Sequence, residues 1–201
     1  MKKIIMMAVM AVVVFSASAQ VEKGLRYGIV LSGSMSHYSD PQNNGTGNTF
    51  GFGIGCDVEY NFSPNFYLDA ALEFGLRGTK MDKVVQNSTT IMLESPLRSY
   101  NLIVPINVGG RVNVSDNVAI FAQAGPYVSY AFKPAEIKAD YGSLGSVSMK
   151  GESFDYGFNG KLGVEFKQFQ VFGGYEFGLN NVWRYLEGKN RSIVFGLGYK
   201  F

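Results

Sequence analysis

The last segment of the chain, from Arg191 to Phe201, alternates between two kinds of side chain. One side carries large apolar residues, namely Ile193, Phe195, Leu197, Tyr199 and Phe201. The other side carries small or polar residues, namely Ser192, Gly196, Gly198 and Lys200. Side chains that alternate with a period of two indicate a β-strand. A strand with one bulky apolar face that ends in an aromatic residue is typical of the segment that closes a transmembrane β-barrel.

The same alternation recurs along the chain, and the connections between the alternating segments are either short or long. Eight segments carry it, at residues 25–36, 49–62, 66–78, 99–113, 118–132, 154–167, 169–179 and 191–201. Short turns at 63–65, 115–117 and near Gln168 alternate with longer connections at 37–48, 79–98, 133–153 and 180–190. Outer-membrane barrels have short periplasmic turns and long external loops. The pattern therefore predicts an all-β fold, an eight-stranded antiparallel up-and-down transmembrane β-barrel of the outer-membrane type.

The composition of the two faces indicates which of them points outward. The bulky face is apolar, whereas the opposite face is rich in glycine and polar residues, which suits a narrow interior. Aromatic residues cluster at both ends of the predicted strands, as in the girdles of membrane barrels. The predicted periplasmic girdle contains Tyr27, Tyr60, Phe62, Phe66, Phe166, Phe169, Tyr199 and Phe201, and the external one contains Phe50, Phe52, Phe74, Tyr100, Tyr130, Phe132, Phe154, Tyr156 and Phe177. The alternative is a soluble, lipocalin-like barrel whose apolar face surrounds a ligand.

Three residues test this interpretation. Pro105 and Pro126 lie inside the fourth and fifth predicted strands. Because a closed barrel has no free edge, each proline removes a hydrogen bond from the sheet, and we expect a bulge or a local break near each. Cys56, the only cysteine, falls on the apolar face, which predicts an outward-facing apolar side chain rather than a reactive thiol.

The N-terminus has the pattern of a secretory signal peptide. Lys2 and Lys3 precede an apolar run over residues 4–15, and Ala17-Ser18-Ala19 fits a cleavage site. We therefore expect a signal peptide at residues 1–19 and a barrel domain at residues 20–201, in the outer membrane of a Gram-negative bacterium. A retained anchor is the alternative, but the apolar run is shorter than the roughly 20 residues that a spanning helix needs. The net charge of +2 gives no reason to expect nucleic acid as a partner.

Four short motifs carry a resemblance to a known family. They are Ala17-Ser-Ala-Gln20, the Asn-Leu-Ile-Val-Pro-Ile-Asn-Val-Gly stretch at 101–109, Ala124-Gly-Pro-Tyr127 and Gly198-Tyr-Lys-Phe201. With them, the chain resembles the small outer-membrane β-barrel domain family of Bacteroidetes, which includes the PorT-like proteins. The resemblance implies an outer-membrane barrel, and a PorT-like member would take part in type IX protein secretion.

The predicted inner face carries charges of both signs. Alternation places five cations and six carboxylates on it: Arg26, Arg77, Arg111, Lys161, Lys200, Asp57, Glu59, Asp69, Glu73, Glu165 and Glu176. A buried charge needs a partner, and the interior of an eight-stranded barrel is just filled by side chains. We therefore expect a structural polar network that mostly plugs the lumen. A small polar pore, or a ligand site near the rim, is the alternative.

The external loops offer further candidates. Trp183, Arg184 and Tyr185 form a cluster that predicts either contact with a partner or anchoring at the membrane interface. His37, the only histidine, begins the first predicted external loop beside Ser36 and Asp40, and a lipid-modifying enzyme that uses it, with Asp82 and Ser88 as distant candidates, is a minor alternative. We expect no catalytic site, metal or cofactor. The expected partners are membrane lipid, envelope or secretion proteins, and the barrel assembly machinery, which would act on the strand that ends at Phe201.

Overall fold

The computed structural model describes residues 23–39, 46–81, 83–86, 89–92, 97–140, 146–183 and 188–201. Eight long strands form the barrel: β1 (Gly24–Tyr38), β2 (Thr49–Asn61), β3 (Phe66–Met81), β4 (Leu97–Ser115), β5 (Val118–Lys133), β6 (Phe154–Phe166), β7 (Phe169–Asn181) and β8 (Lys189–Lys200). Each strand pairs antiparallel with the next, and β8 pairs with β1, so the sheet is closed. The predicted eight-stranded barrel is confirmed.

The connections alternate between short and long, as predicted. Short turns occupy residues 62–65, 116–117 and 167–168, at what we call the turn end of the barrel. The long connections lie at the opposite end, the loop end, and two of them contain a short hairpin: Lys83–Gln86 pairs with Thr89–Met92, and Glu136–Asp140 pairs with Ser146–Lys150. Within the described residues, no helix is long and apolar enough to cross a membrane. The predicted signal peptide at 1–19 lies outside the described residues.

The apolar face of the sheet points outward. Large hydrophobic side chains are exposed along all eight strands, and every aromatic residue predicted for the two girdles is exposed or half-exposed on this face. Cys56 is exposed there as well, as predicted. The alternative of a soluble barrel with an apolar interior is wrong, because charged and polar side chains predominate on the inner face.

Both prolines lie within strands, and a local break accommodates them. The pairing of β4 with β3 stops between Ile103 and Ile106, and its pairing with β5 stops between Pro105 and Val108. The register is the same on both sides of each gap, so the strands lose hydrogen bonds there but are not shifted relative to each other. Proline has no N–H to donate, and the predicted disruption takes the form of a break rather than a bulge.

Candidate functional site in the barrel lumen

Seven of the charged residues predicted to face inward form one cluster near the turn end. The turn-end cluster, as we call it, consists of Arg26, Asp57, Glu59, Asp69, Arg111, Glu165 and Lys200. Glu59 lies at its centre, because its Oε1 accepts hydrogen bonds from Arg111 Nη2 at 2.8 Å and from Arg26 Nη1 at 3.3 Å. Lys200 Nζ lies 3.3 Å from Glu59 Oε2 and bonds to Asp57. Residues that are far apart in the chain therefore meet at one point of the lumen.

Glu165 links the same cations from the opposite wall. Its Oε1 lies 2.9 Å from Arg26 Nη2, and its Oε2 lies 3.3 Å from Arg111 Nη2. Both arginines are thereby held between two carboxylates. Such charge-assisted bonds are about twice as strong as neutral ones, and they fix the guanidinium groups in the middle of the lumen.

Neutral side chains complete the turn-end cluster, and the prediction did not include them. Gln170 donates to Glu165 Oε2 at 2.9 Å, and Gln123 donates to Asp69 at 3.3 Å. Tyr67 donates to Gln123 Oε1 at 3.0 Å, and the Arg111 guanidinium lies 4.7 Å from the centre of the Tyr67 ring. Alternation is consistent with their inward orientation, but uncharged side chains gave no signal that they belong to a site.

The remaining four predicted residues form two ion pairs nearer the loop end. Arg77 bonds to Glu176, and Lys161 Nζ donates to Glu73 at 3.0 Å. Asp155, which the prediction omitted, accepts a hydrogen bond from Tyr127 at 3.0 Å. We call these residues the loop-end cluster: Glu73, Arg77, Tyr127, Asp155, Lys161 and Glu176. All eleven predicted charged residues therefore lie in one of two clusters of the lumen.

Apolar side chains also reach into the lumen, which the prediction had treated as polar. Val30, Phe121, Phe172 and Val194 pack together on the inner face. A cavity of about 20 Å³ lies beside them and is also lined by Lys161 and Lys200, and another of about 30 Å³ lies at the loop end beside Arg77. A water molecule needs roughly 10–15 Å³ of such space, so each cavity holds only one or a few waters.

The connections at the loop end fold over the barrel and bury Trp183, which is only 2% exposed. The amide of Gly151 donates to the Ala135 carbonyl at 2.8 Å, and the amide of Glu152 donates to the Val182 carbonyl at 2.7 Å. The Trp183 ring therefore packs inside the protein, which corrects its prediction as a partner contact or interfacial anchor. Arg184 and Tyr185, predicted with it, lie outside the described residues.

The histidine lies in a strand and not in a loop. His37 belongs to β1 and faces outward, whereas Ser36 faces the lumen, where its Oγ accepts a hydrogen bond from Ser192 at 2.9 Å. The two side chains point to opposite sides of the sheet, so they cannot act together on one substrate. The other candidates for an enzyme, Asp40, Asp82 and Ser88, lie outside the described residues. Among the described residues, no group of three His, Cys, Asp or Glu side chains could hold a metal ion.

A closed barrel with an apolar outer face and a charged interior is the architecture of an integral outer-membrane β-barrel protein. The chain belongs to the outer membrane protein beta-barrel domain family, whose model matches residues 16–184. No curated protein has a significantly similar sequence.

Solved structures of outer-membrane proteins are similar to this chain at low sequence identity. The outer membrane protein OprG of Pseudomonas aeruginosa is 14% identical with a TM-score of 0.58, and the match covers 92% of this chain and 99% of that one. Ail, the attachment invasion locus protein of Yersinia pestis, is 15% identical with a TM-score of 0.46, over 89% of this chain and 99% of that one. At such identities the similarity concerns the fold alone.

Proposed function

We propose that this outer-membrane protein is a non-enzymatic barrel with a closed lumen, which serves envelope structure or contacts a partner through its external loops. The observation that carries the proposal is the extent of the turn-end cluster. Its charged members come from β1, β2, β3, β4, β6 and β8, and Gln123 and Gln170 add β5 and β7. One connected set of bonds therefore joins all eight strands across the lumen.

Electrostatics support a closed lumen. An ion that entered the barrel would have to displace Lys200 or one of the two arginines from carboxylates that are almost fully buried. Leaving one member of a buried ion pair without its partner costs about 3–5 kcal/mol. The cluster therefore opposes permeation of ions through the lumen.

Conductance in planar lipid bilayers tests the closed lumen. The wild-type protein is expected to give no conductance steps. Glu59→Ala combined with Arg111→Ala removes one negative and one positive side chain from the centre of the cluster, and we expect this variant to conduct. Lys80→Ala, at an exposed residue of β3, is the control and is expected to stay silent. Conductance by the wild-type protein would contradict the proposal.

Export and assembly belong to the same proposal. The signal peptide at residues 1–19 would deliver the chain to the periplasm, and β8 would present its aromatic end to the assembly machinery. In support, Phe201 is exposed, its amide donates to the Tyr27 carbonyl at 2.8 Å, and its ring lies 5.2 Å from that of Tyr199. N-terminal sequencing of protein from the outer membrane is expected to begin at Gln20, and a start at Met1 would exclude cleavage.

Resemblance to the PorT-like proteins supports a second candidate, an accessory role in protein secretion. It rests on the motifs at residues 101–109 and 124–127, which form adjacent parts of β4 and β5. A deletion strain separates the two candidates. Loss of secreted proteins from the medium, restored by the wild-type gene, would favour secretion, whereas normal secretion with a weakened envelope would favour the structural role.

A further inference from the structure

The external aromatic girdle is interrupted at two adjacent strands. Near the loop end, β2 to β7 each present an outward-facing aromatic side chain that is at least 40% exposed: Phe50, Phe74, Tyr100, Phe132, Phe154 and Phe177. On β1 and β8 the outward-facing residues near this end are instead His37 and Arg191, which are direct partners in the pairing of these strands. Lys189 follows on the same face of β8. The gap in the girdle is therefore occupied by basic side chains, and we call His37, Lys189 and Arg191 the rim site.

The rim site begins where the apolar surface of both strands ends. On β1 the outward-facing residues up to this level include Ile29, Leu31 and Met35, and on β8 they include Phe195 and Ile193. The next outward-facing positions are His37 and Arg191. Because lipid chains cover the apolar surface, these two residues lie at the level of the lipid headgroups.

An aromatic ring and two backbone carbonyls hold the Arg191 guanidinium in place. Its Cζ lies 3.6 Å from the centre of the Phe177 ring, and its Nη1 donates to the carbonyls of Gly178 at 2.6 Å and Asn190 at 2.8 Å. The pairing of β7 with β8 is irregular between Phe177 and Asn181, next to these contacts. Such bulges redirect side chains. Within the described parts of the chain, no carboxylate forms an ion pair with Arg191.

We propose that the rim site binds a phosphate group of an anionic glycolipid in the outer leaflet. A fixed guanidinium is suited to bind phosphate through two parallel hydrogen bonds, and a lysine adds a flexible positive charge. The apolar residues below the site, Met35 and Ile193, would lie against the acyl chains of the same lipid. The inference rests on the orientation in which the long loops face the cell exterior, and it does not depend on a closed lumen.

A matched pair of cations on the other side of the barrel provides a control. Lys80 on β3 and Arg98 on β4 are exposed near the same end, and Arg98 pairs in register with Gly78. Their strands keep the aromatic residues Phe74 and Tyr100 of the girdle. Removing Lys80 and Arg98 changes the net charge by the same amount as removing Lys189 and Arg191, but leaves the rim site intact.

Native mass spectrometry of the folded protein in detergent micelles that contain bisphosphorylated lipid A tests the proposal. Lys189→Gln with Arg191→Gln is expected to weaken retention of lipid A by about 30-fold, since each of the two basic residues contributes about 1 kcal/mol to binding of anionic lipid and about 1.4 kcal/mol corresponds to a factor of ten. Lys80→Gln with Arg98→Gln is expected to retain it like the wild type. Lipid A stripped of its phosphates is expected to bind the wild type as weakly as lipid A binds the rim variant.

Equal weakening by both double variants would overturn the proposal, as would equal retention of dephosphorylated lipid A. Retention of phosphatidylglycerol as strong as that of lipid A would overturn the assignment to a glycolipid. The shift in gel mobility on boiling verifies that each variant is a folded barrel. If the double variant does not fold, Lys189→Gln and Arg191→Lys replace it, and wild-type retention by both of these single variants would likewise overturn the proposal.

Discussion

Tyr67 lies directly against the backbone of Gly109, so closely that a Cβ atom at Gly109 would be 2.1 Å from Tyr67 Cζ. The missing side chain on β4 leaves the space that the Tyr67 ring on β3 fills. In that position the ring contacts the Arg111 guanidinium and its hydroxyl reaches Gln123. A glycine thus positions a tyrosine, and the tyrosine supports the turn-end cluster.

Replacing this glycine is expected to destabilise the barrel. Gly109→Ala must displace Tyr67, and overpacking in a well-packed interior typically costs about 1–3 kcal/mol. Gly173→Ala is the matched control, because no atom lies within 4 Å of a Cβ placed there. The midpoint of urea unfolding in detergent micelles, followed by circular dichroism, measures both. A midpoint for Gly109→Ala equal to that of Gly173→Ala would show that the contact between Tyr67 and Gly109 is not needed.

Within the turn-end cluster, removing one charge is expected to cost more than removing a pair. Glu59→Leu leaves Arg111 with fewer partners in a buried position, at a cost of about 3–5 kcal/mol. Glu59→Leu combined with Arg111→Met removes both charges and is expected to restore part of the lost stability, since apolar replacement of a buried pair is often nearly neutral. Unfolding free energies of the two single variants and the double variant give the coupling energy. Additive effects would contradict direct coupling of these residues.

Trp183 is expected to stabilise the loop end and not the barrel. Trp183→Ala removes a buried ring, and such a change costs about 3–5 kcal/mol of local packing. We expect faster cleavage of residues 134–153 by a protease added to intact cells, with an unchanged mobility shift on boiling. Trp183→Phe keeps most of the ring and is expected to be cleaved nearly as slowly as the wild type. Equal cleavage of all three proteins would exclude the proposed contact.

The turn between β6 and β7 contains a non-glycine residue in the left-handed region, Lys167, with φ of 55°. Such a conformation costs an L-amino acid about 1–2 kcal/mol, and glycine adopts it without that penalty. Lys167→Gly is therefore expected to raise the unfolding midpoint slightly, whereas Gln168→Gly, where φ is negative, is expected to lower it or leave it unchanged. Urea unfolding of the two variants side by side decides the sign.

The barrel could be predicted from the sequence because side chains along each strand alternate between the two faces of the sheet. A period of two fixes which side chains share a face, so Glu59, Arg111 and Lys200 could be placed in the lumen before any contact was known. Alternation cannot show which partners meet across the lumen, because that depends on the register and tilt of eight strands. The pairing of Arg26 with both Glu59 and Glu165 therefore appears only in the structure.

Loop residues were less predictable for a different physical reason. The polarity of a residue does not show whether its side chain is buried beneath a loop, as that of Trp183 is, or whether its backbone continues a strand, as that of His37 does. Trp183 is buried because neighbouring loops bond to each other around it. His37 continues β1 because β8 provides hydrogen-bond partners as far as Asn190. Both outcomes depend on neighbours far away in the chain.

The position of Lys200 near the end of the chain ties closure of the barrel to the neutralisation of its interior. Until β8 pairs with β1, the four carboxylates of the turn-end cluster face only two arginines, and water must remain to solvate the excess negative charge. When Lys200 enters the lumen and reaches Asp57, Glu59 and Asp69, that water can leave. Pairing of β8 with β1 therefore also brings in the cation that balances the charge of the interior.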